Sequence, residues 1–468
     1  PSRRAALSPS TLEGRAWALL QEARMEFDGR FVGVHASCDR GSPPLNYSQC
    51  FVRDFAVCAA AFVLRGEYDI VLEFLTVTLE LQSRGPGLET EEPRRGLMPA
   101  SFRPAERDGE PVMEGDYGEE SIARVTPIDS VFWWLITLRA YTRASGDRSL
   151  AQRHEFQEGI QRTLRLALEG SFELFPTLLV PDGSFMIDRR MGVYGHPLEV
   201  QTLLYLALRA GSELLDPDDD LFEIAGRRRK DLEDHVRRQY WLTPERVDSL
   251  RTLERDEYGE EILNVFNVFP ESIPEWLDTW LPQDAGYLAG NVGPGRIDFR
   301  FFAQGNLLAI AGGLCDRQQS ESILRLYEAR WDDLVGAAPL RIVYPALEGE
   351  AWKVVTGADT KNRPWRNHNG GWWPALLWSF ASATTARGRL DLLERALEAS
   401  EKRLNEDGWP EYYDGRTRPA VGTRARTRQS WTLGAYLYAR ACLDDPAAAE
   451  LYTFSEEAGR HHHRSVTT

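Results

Sequence analysis

Thiols, closely spaced histidines, basic charge and long apolar runs are all scarce in this chain. Five cysteines (Cys38, Cys50, Cys58, Cys315 and Cys442) make an odd count with no C-x-x-C pair. That pattern predicts reduced thiols, not a disulfide frame. No apolar stretch approaches the length of a membrane span. The first ten residues, PSRRAALSPS, hold no apolar signal region. These absences point to a cytoplasmic protein with no membrane partner. Outside the HHH near the end, the histidines are His35, His154, His196, His235 and His368. None stands three or four residues from another, so no metal is expected. Lys and Arg number 55 against 71 Asp and Glu, a formal net charge of −16. Nucleic acid requires the opposite, a basic footprint, so it is not an expected partner. GNVGPG (290–295) has glycines, but no strand precedes it and no Lys-Ser/Thr follows. It reads as a tight turn, not a phosphate loop, and no cofactor is expected.

What the chain has in abundance is helix. Apolar residues recur at helical spacing in about a dozen segments. Residues 48–82 read as two helices broken near Gly66. The segment DSVFWWLITLRAYTRASGD reads as another, capped by Asp129 and ended by Gly146. DPDDD (216–220) matches an acidic motif of some helical cyclases, but it suits a solvated helix start better. Only 175–180, 262–269 and 340–345 suggest strands, as small hairpins. The helices are joined alternately by short turns and by long loops rich in Gly, Pro, aromatics and charge. This predicts an all-α protein, an (α/α)6 barrel with long loops and small β-hairpins at one mouth. We expect residues 11–445 to form one catalytic domain, with 1–10 and 446–468 as flexible termini.

Long loops carrying aromatic and ionisable groups usually carry function. The acids set among Trp, Tyr and Gly are Asp54, Asp129, Asp188, Glu199, Asp298, Glu348 and Glu411. Sugars are bound by this combination: aromatic faces cover the C–H faces of the ring, and charged and amide groups hold its hydroxyls. Cleaving a glycosidic bond takes two carboxyl groups and no cofactor. The loop MIDRRMGVYGHPLEVQ (186–201) is the most crowded, with Asp188 directly before Arg189 and Arg190.

Several of these segments are distinctive: NYSQCFVRDFAVCAAAFVLRGE, RRGLMPASF, GEESIARVTPIDSVFWW, FPTLLVPDGSFMIDRRMGVYGHPLEVQ, GYLAGNVGPGRIDFRFFAQGNLLAI, YPALEGEAWKVVTGADTKNRPWRNHNGGWWP and WPEYYDGR. In this order, from about residue 11 to 441, the chain resembles the neutral/alkaline invertases, cytosolic sucrose-splitting glycoside hydrolases of plants and cyanobacteria. The resemblance implies an (α/α)6 barrel and hydrolysis of sucrose to glucose and fructose. It implies that the Asp of MIDRRMG, Asp188, is the general acid, and that the Glu of WPEYYDGR, Glu411, is the general base. Analogy with other helical-barrel glucosidases implies inversion, with water attacking the glucosyl carbon. It also suggests a homo-oligomer. A glucosidase for another disaccharide such as trehalose, and a non-catalytic sugar-binding barrel, are the alternatives.

Candidate sugar contacts follow from the same loops. They are Arg53, Asp54, Asp129, Trp133, Arg189, Arg190, Tyr194, His196, Glu199, Gln201, Asp298, Arg300, His368, Trp372, Trp373, Tyr412 and Gln429. Trp133 lies on a helix, where the core is the readier destination. An acid working near neutral pH must stay protonated. Both arginines are therefore expected to point away from Asp188, which should sit against an aromatic face or a second carboxylate.

Overall fold

The computed structural model describes residues 7–39, 41, 43, 45–85, 95–119, 125–168, 176–180, 182–252, 254–255, 261–262, 268–293 and 296–454; the side chain of Arg189 lies outside that set. Twelve main helices alternate in role along the chain. They are α1 (Leu12–Glu22), α2 (Val52–Val63), α3 (Tyr68–Glu80), α4 (Ser130–Ser145), α5 (His154–Leu168), α6 (Leu198–Leu214), α7 (Asp220–Gln239), α8 (Ala303–Ala311), α9 (Arg317–Ala329), α10 (Leu377–Ala386), α11 (Leu390–Glu406) and α12 (Ser430–Asp444). The even-numbered helices pack one on the next in the order α2, α4, α6, α8, α10, α12, and α12 returns to α2, closing a ring of six. The odd-numbered helices lie outside it. The architecture is the expected (α/α)6 barrel, all-α apart from small strand pairs.

Composition decides which helix goes where. Every described residue of α2 except Arg53 is buried, and all of α8 is. Helices that are apolar all round belong in an interior. The outer α5 buries Phe156, Gly159, Ile160, Thr163, Leu164 and Ala167, a single stripe. Where the ring closes, α12 presses Gly434 onto Cys58 so tightly that a Cβ would stand 2.8 Å from the Cys58 backbone. The acidic DPDDD stretch is a helix start: Asp219 Oδ1 accepts from Leu221 N at 2.8 Å and caps α7.

Inner helices lead to outer ones through short turns, such as the one at Gly146 (φ 75°) that ends α4. Outer helices lead back through the long loops, so all six loops arrive at the N-termini of the inner ring. There the first turns and the residues just before them carry polar groups: Arg53 and Asp54 on α2, Asp129 before α4, Glu199 on α6, and Gln429 before α12. This end also carries the positive ends of the helix dipoles, which favour carboxylates.

Of the expected strands, Val343–Tyr344 pairs with Phe301–Phe302, and Glu261–Ile262 with Glu254–Arg255. Val180 makes one bridge to Gly195; residues 171–175 and 263–267 lie outside the described set. Two longer hairpins were not expected from the sequence: Arg24–Phe27 with Arg30–Val34, and Ser101–Arg107 with Glu110–Asp116. Both turn through Asp-Gly with positive φ at each residue, Asp28 (50°) and Gly29 (71°), Asp108 (55°) and Gly109 (82°). That dipeptide is the favoured two-residue hairpin turn. Residues 446–454, expected in a flexible terminus, are packed instead. Tyr452 is buried with its hydroxyl donating to Ala56 O at 2.9 Å, and Phe454 N donates to Ala311 O at 3.2 Å. The apolar Leu451, Tyr452 and Phe454 seal the far end of the ring, which a free tail would leave open.

Candidate active site

A cavity of about 870 Å³ opens at the N-terminal end of the inner ring. The first turns of α2 and α12 supply Arg53, Asp54, Gln429 and Trp431 to its wall. The loops between helices supply Tyr47, Phe185, Asp188, Lys361, His368, Trp373, Glu411 and Arg426. Asp188 and Glu411 thus line one cavity although they come from loops on opposite halves of the chain.

Glu411 is buried, and Tyr47 Oη donates to its two oxygens at 3.1 and 3.0 Å. Burial pushes its carboxyl above the ordinary range, while Lys361, Tyr47 and Arg426 pull it back. Asp54, beside it, is pushed up to about 7 by burial against the pull of Arg53, with Glu411 and Asp129 adding to the rise.

Asp188 differs from the expectation. Its chain does not run extended; Arg189–Met191 form a single 3-10 turn, and Met191 N donates to Asp188 O at 2.8 Å. That turn brings Arg190 back onto the carboxylate. Arg190 N and Nε donate to Oδ1 at 3.0 and 3.3 Å, and Nη2 to Oδ2 at 3.2 Å. Asn362 Nδ2 adds a contact to Oδ2 at 3.3 Å. Burial alone would raise this acid, but the Arg190 amide and guanidinium outweigh it and hold it below the ordinary carboxylate range. Arg190 also reaches Asp359 at 3.1 Å, so it bridges two acids. His368 Nδ1 accepts from the Asp188 amide at 2.8 Å. Burial lowers its imidazole to about 3, so it is neutral near neutral pH.

Behind the wall, Arg53 Nε donates to Asp129 Oδ2 at 2.6 Å, and Trp133 Nε1 to the same oxygen at 3.1 Å. Asp129 therefore does not cap α4 with its side chain. Glu199 is buried near Arg53, and its Oε1 accepts from Met186 N at 3.2 Å, tying α6 to the Asp188 loop. Burial raises Glu199 to about 8 against the pull of Arg53. The fold therefore accepts its neutral form. That contribution to stability is full below the ordinary carboxylate range and is lost as pH rises towards 8. Glu199→Gln mimics the neutral form. Its melting temperature relative to the parent should rise between about pH 5 and about pH 8; a constant difference would contradict the assignment.

Other candidates lie elsewhere. Among the described residues, Trp133 and Trp372 are wall or core. Trp133 packs edge-on to Trp378, and Trp372 lies under Arg341 at 3.6 Å with its Nε1 donating to Gly415 O. Tyr194 is on the surface under Arg296. His196 contacts Thr177 and Asn291, and Gln201 clamps the backbone of Leu178 from both sides. Asp298 and Arg300 form a buried pair at 2.5 Å that also holds Met191 O, bracing the 3-10 turn from behind. None of these seven lines the large cavity. Tyr412 stacks on the cavity residue Trp373, centroids 5.1 Å apart. The sequence reading missed Tyr47, Lys361, Asn362 and Arg426. Gln429 Oε1 and Trp431 Nε1 are buried without protein partners, as a polar ligand's contacts would be.

Comparison with known proteins fits this geometry. The profile of the family described as "Alkaline and neutral invertase" matches residues 16–446. "Neutral/alkaline invertase 1, mitochondrial" from Oryza sativa subsp. japonica is 46% identical over 460 residues, 96% of this chain and 73% of the relative. "Alkaline/neutral invertase E, chloroplastic" from Arabidopsis thaliana is 44% identical, over 96% of this chain and 74% of that one. "Cytosolic invertase 1" from Oryza sativa subsp. japonica is 43% identical, over 96% and 81%. Among solved structures, one described as "Glycosidase Wild Type" superposes with a TM-score of 0.56 at 13% identity, over 92% of this chain and 96% of that one. A bacterial glucoamylase complexed with acarbose gives 0.52 at 11% identity, over 95% and 58%. At such identities these two speak for the fold alone.

Proposed function

This chain belongs to the alkaline and neutral invertase family of glycoside hydrolases, and from that premise we propose that it hydrolyses sucrose to glucose and fructose with inversion. The observation that carries the reading is the shared cavity: two carboxyl groups, Asp188 and Glu411, within a hollow lined by sugar-binding chemistry. Arg53 and Asp54 hold hydroxyls of the glucosyl unit, and Trp373 and Trp431 cover its apolar faces. Asp188 protonates the bridging oxygen as general acid. Glu411 takes a proton from water as general base, and burial keeps its affinity for that proton high enough to be useful. Water attacks the glucosyl carbon, and fructose leaves.

Hydrolysis in heavy-oxygen water tests this directly. The label is expected in glucose, and the first glucose seen by NMR is the β-anomer. Label in fructose, or initial α-glucose, overturns the reading.

In the resting site Arg190 keeps Asp188 ionised, so Arg190 must release it before Asp188 can act as an acid. Asp359 offers the guanidinium a second seat. Arg190→Gln should then raise the Asp188 pKa and move the alkaline limb of kcat/KM upward by about one pH unit or more. A limb that stays in place removes Arg190 from control of the acid. The resting charges also favour a second assignment with the roles exchanged, Asp188 as base and Glu411 as acid. Slow variants of each residue separate the two, as argued below.

We further propose a cytoplasmic setting, in line with the relative named a cytosolic invertase and with five cysteines none of which is in a disulfide. A homo-oligomer is proposed as well; a single-chain mass by light scattering overturns it.

A further inference from the structure

Next to the large cavity is a second hollow, of about 180 Å³. Lys361, Arg363, Arg366 and Arg424 line it, together with Tyr412, Thr423 and one acid, Asp414. Among the described residues none of the four cations is in an ion pair; Arg366 Nη1 reaches only the hydroxyl of Thr423, at 3.3 Å. In a chain with 71 acidic residues this is unusual. Elsewhere a single arginine gathers several acids: Arg440 meets Glu13, Glu401 and Asp444. Here four positive charges face one another across one space. Such a cluster repels itself unless something negative sits in it. Asp414 brings one negative charge against four positive ones, and its Oδ2 accepts from Thr423 N at 3.0 Å and Thr423 Oγ1 at 2.9 Å. Its Oδ1 is buried without a protein partner.

Three guanidinium groups and an ammonium around a small hollow match the oxygens of a phosphate group, which accepts paired N–H donors from arginine. The unpartnered Asp414 oxygen needs a donor, which a sugar hydroxyl or the P–O–H of hydrogen phosphate supplies. We propose that this hollow is a phosphate-binding site, taking either a sugar phosphate monoester or free phosphate. It adjoins the sucrose site: Lys361, Thr423 and Arg424 form a wall common to both cavities. Occupancy of one therefore bears on the other.

Calorimetric titration of the full chain with fructose 6-phosphate, inorganic phosphate and fructose tests the site. The same titrations are run on Arg363→Ser and on an Arg363→Ser/Arg366→Ser double variant. Neither arginine lines the large cavity, so sucrose hydrolysis is kept and serves as the folding control. Phosphate-bearing probes are expected to bind the parent with a Kd on the order of 1 mM or tighter. Binding should weaken several-fold in the exposed single variant and at least tenfold in the double. Tighter binding of fructose 6-phosphate than of phosphate identifies the sugar ester as occupant; equal binding identifies free phosphate. The proposal is overturned if neither probe binds at about ten times that concentration, or if the double variant binds as the parent does.

Discussion

Asp188→Asn is expected to lose sucrose hydrolysis by on the order of 10²–10⁴-fold, and yet to cleave α-glucosyl fluoride at close to the parent rate. Fluoride leaves without being protonated, so a missing general acid costs nothing there. Glu411→Gln should lose both reactions by a comparable factor, because both need a base to activate water. The pair of substrates makes the assignment of roles decisive. If Glu411→Gln is the variant that keeps the fluoride and Asp188→Asn the one that loses it, the roles are exchanged. That outcome would agree with the resting charges, in which Arg190 holds Asp188 ionised and burial keeps Glu411 drawn towards its neutral form. Full sucrose activity in either variant removes that residue from the mechanism.

Arg53→Met should destabilise the fold by about 3–5 kcal/mol, as breaking a buried ion pair does. The guanidinium is the cation shared by Asp129, Asp54 and Glu199. Asp129, with 1% of its side chain exposed, would keep only Trp133 as a hydrogen-bond partner, and its Oδ1 is already unpartnered. Lysine at 53 should recover part of the loss, since it restores charge but not the fork. Urea unfolding of the three proteins reads this out; a loss for methionine under about 1 kcal/mol would mean the acids simply take up protons. Catalysis should fall in both variants, because Arg53 and Asp54 share the cavity wall.

The barrel was legible in the sequence because its two helix classes differ so plainly. Apolar stretches such as VRDFAVCAAAFV have no polar face to give to water, and stretches such as HEFQEGIQRTLRLAL have one. Long loops entering the apolar class marked the functional end. The two Asp-Gly hairpins were equally written in the chain, but their flanks, EF and RF, ER and EP, alternate too weakly to declare strands.

The site was legible only in part. Loop aromatics next to acids led to Glu411, Trp373 and His368, and all three line the cavity. The same rule led to Trp372, which faces Arg341 instead, because neighbouring residues in the bridged segment 372–373 point to opposite sides. The grip of Arg190 on Asp188 was hidden by a local conformation: in an extended loop the two would diverge, and a single 3-10 turn makes them meet. Tyr47 escaped notice because its partner, Glu411, lies 364 residues away.

That last separation has a consequence for synthesis. The first and last inner helices close the ring, and the cavity takes Tyr47, Arg53 and Asp54 from the start of the chain and Glu411, Gln429 and Trp431 from its end. A chain emerging from the ribosome can stack its early helices but cannot complete this cavity until Trp431 has been made. Fragments that stop short of α12 therefore lack part of the cavity wall, and they expose the unsealed seam of α2 to whatever quality control patrols for greasy surfaces.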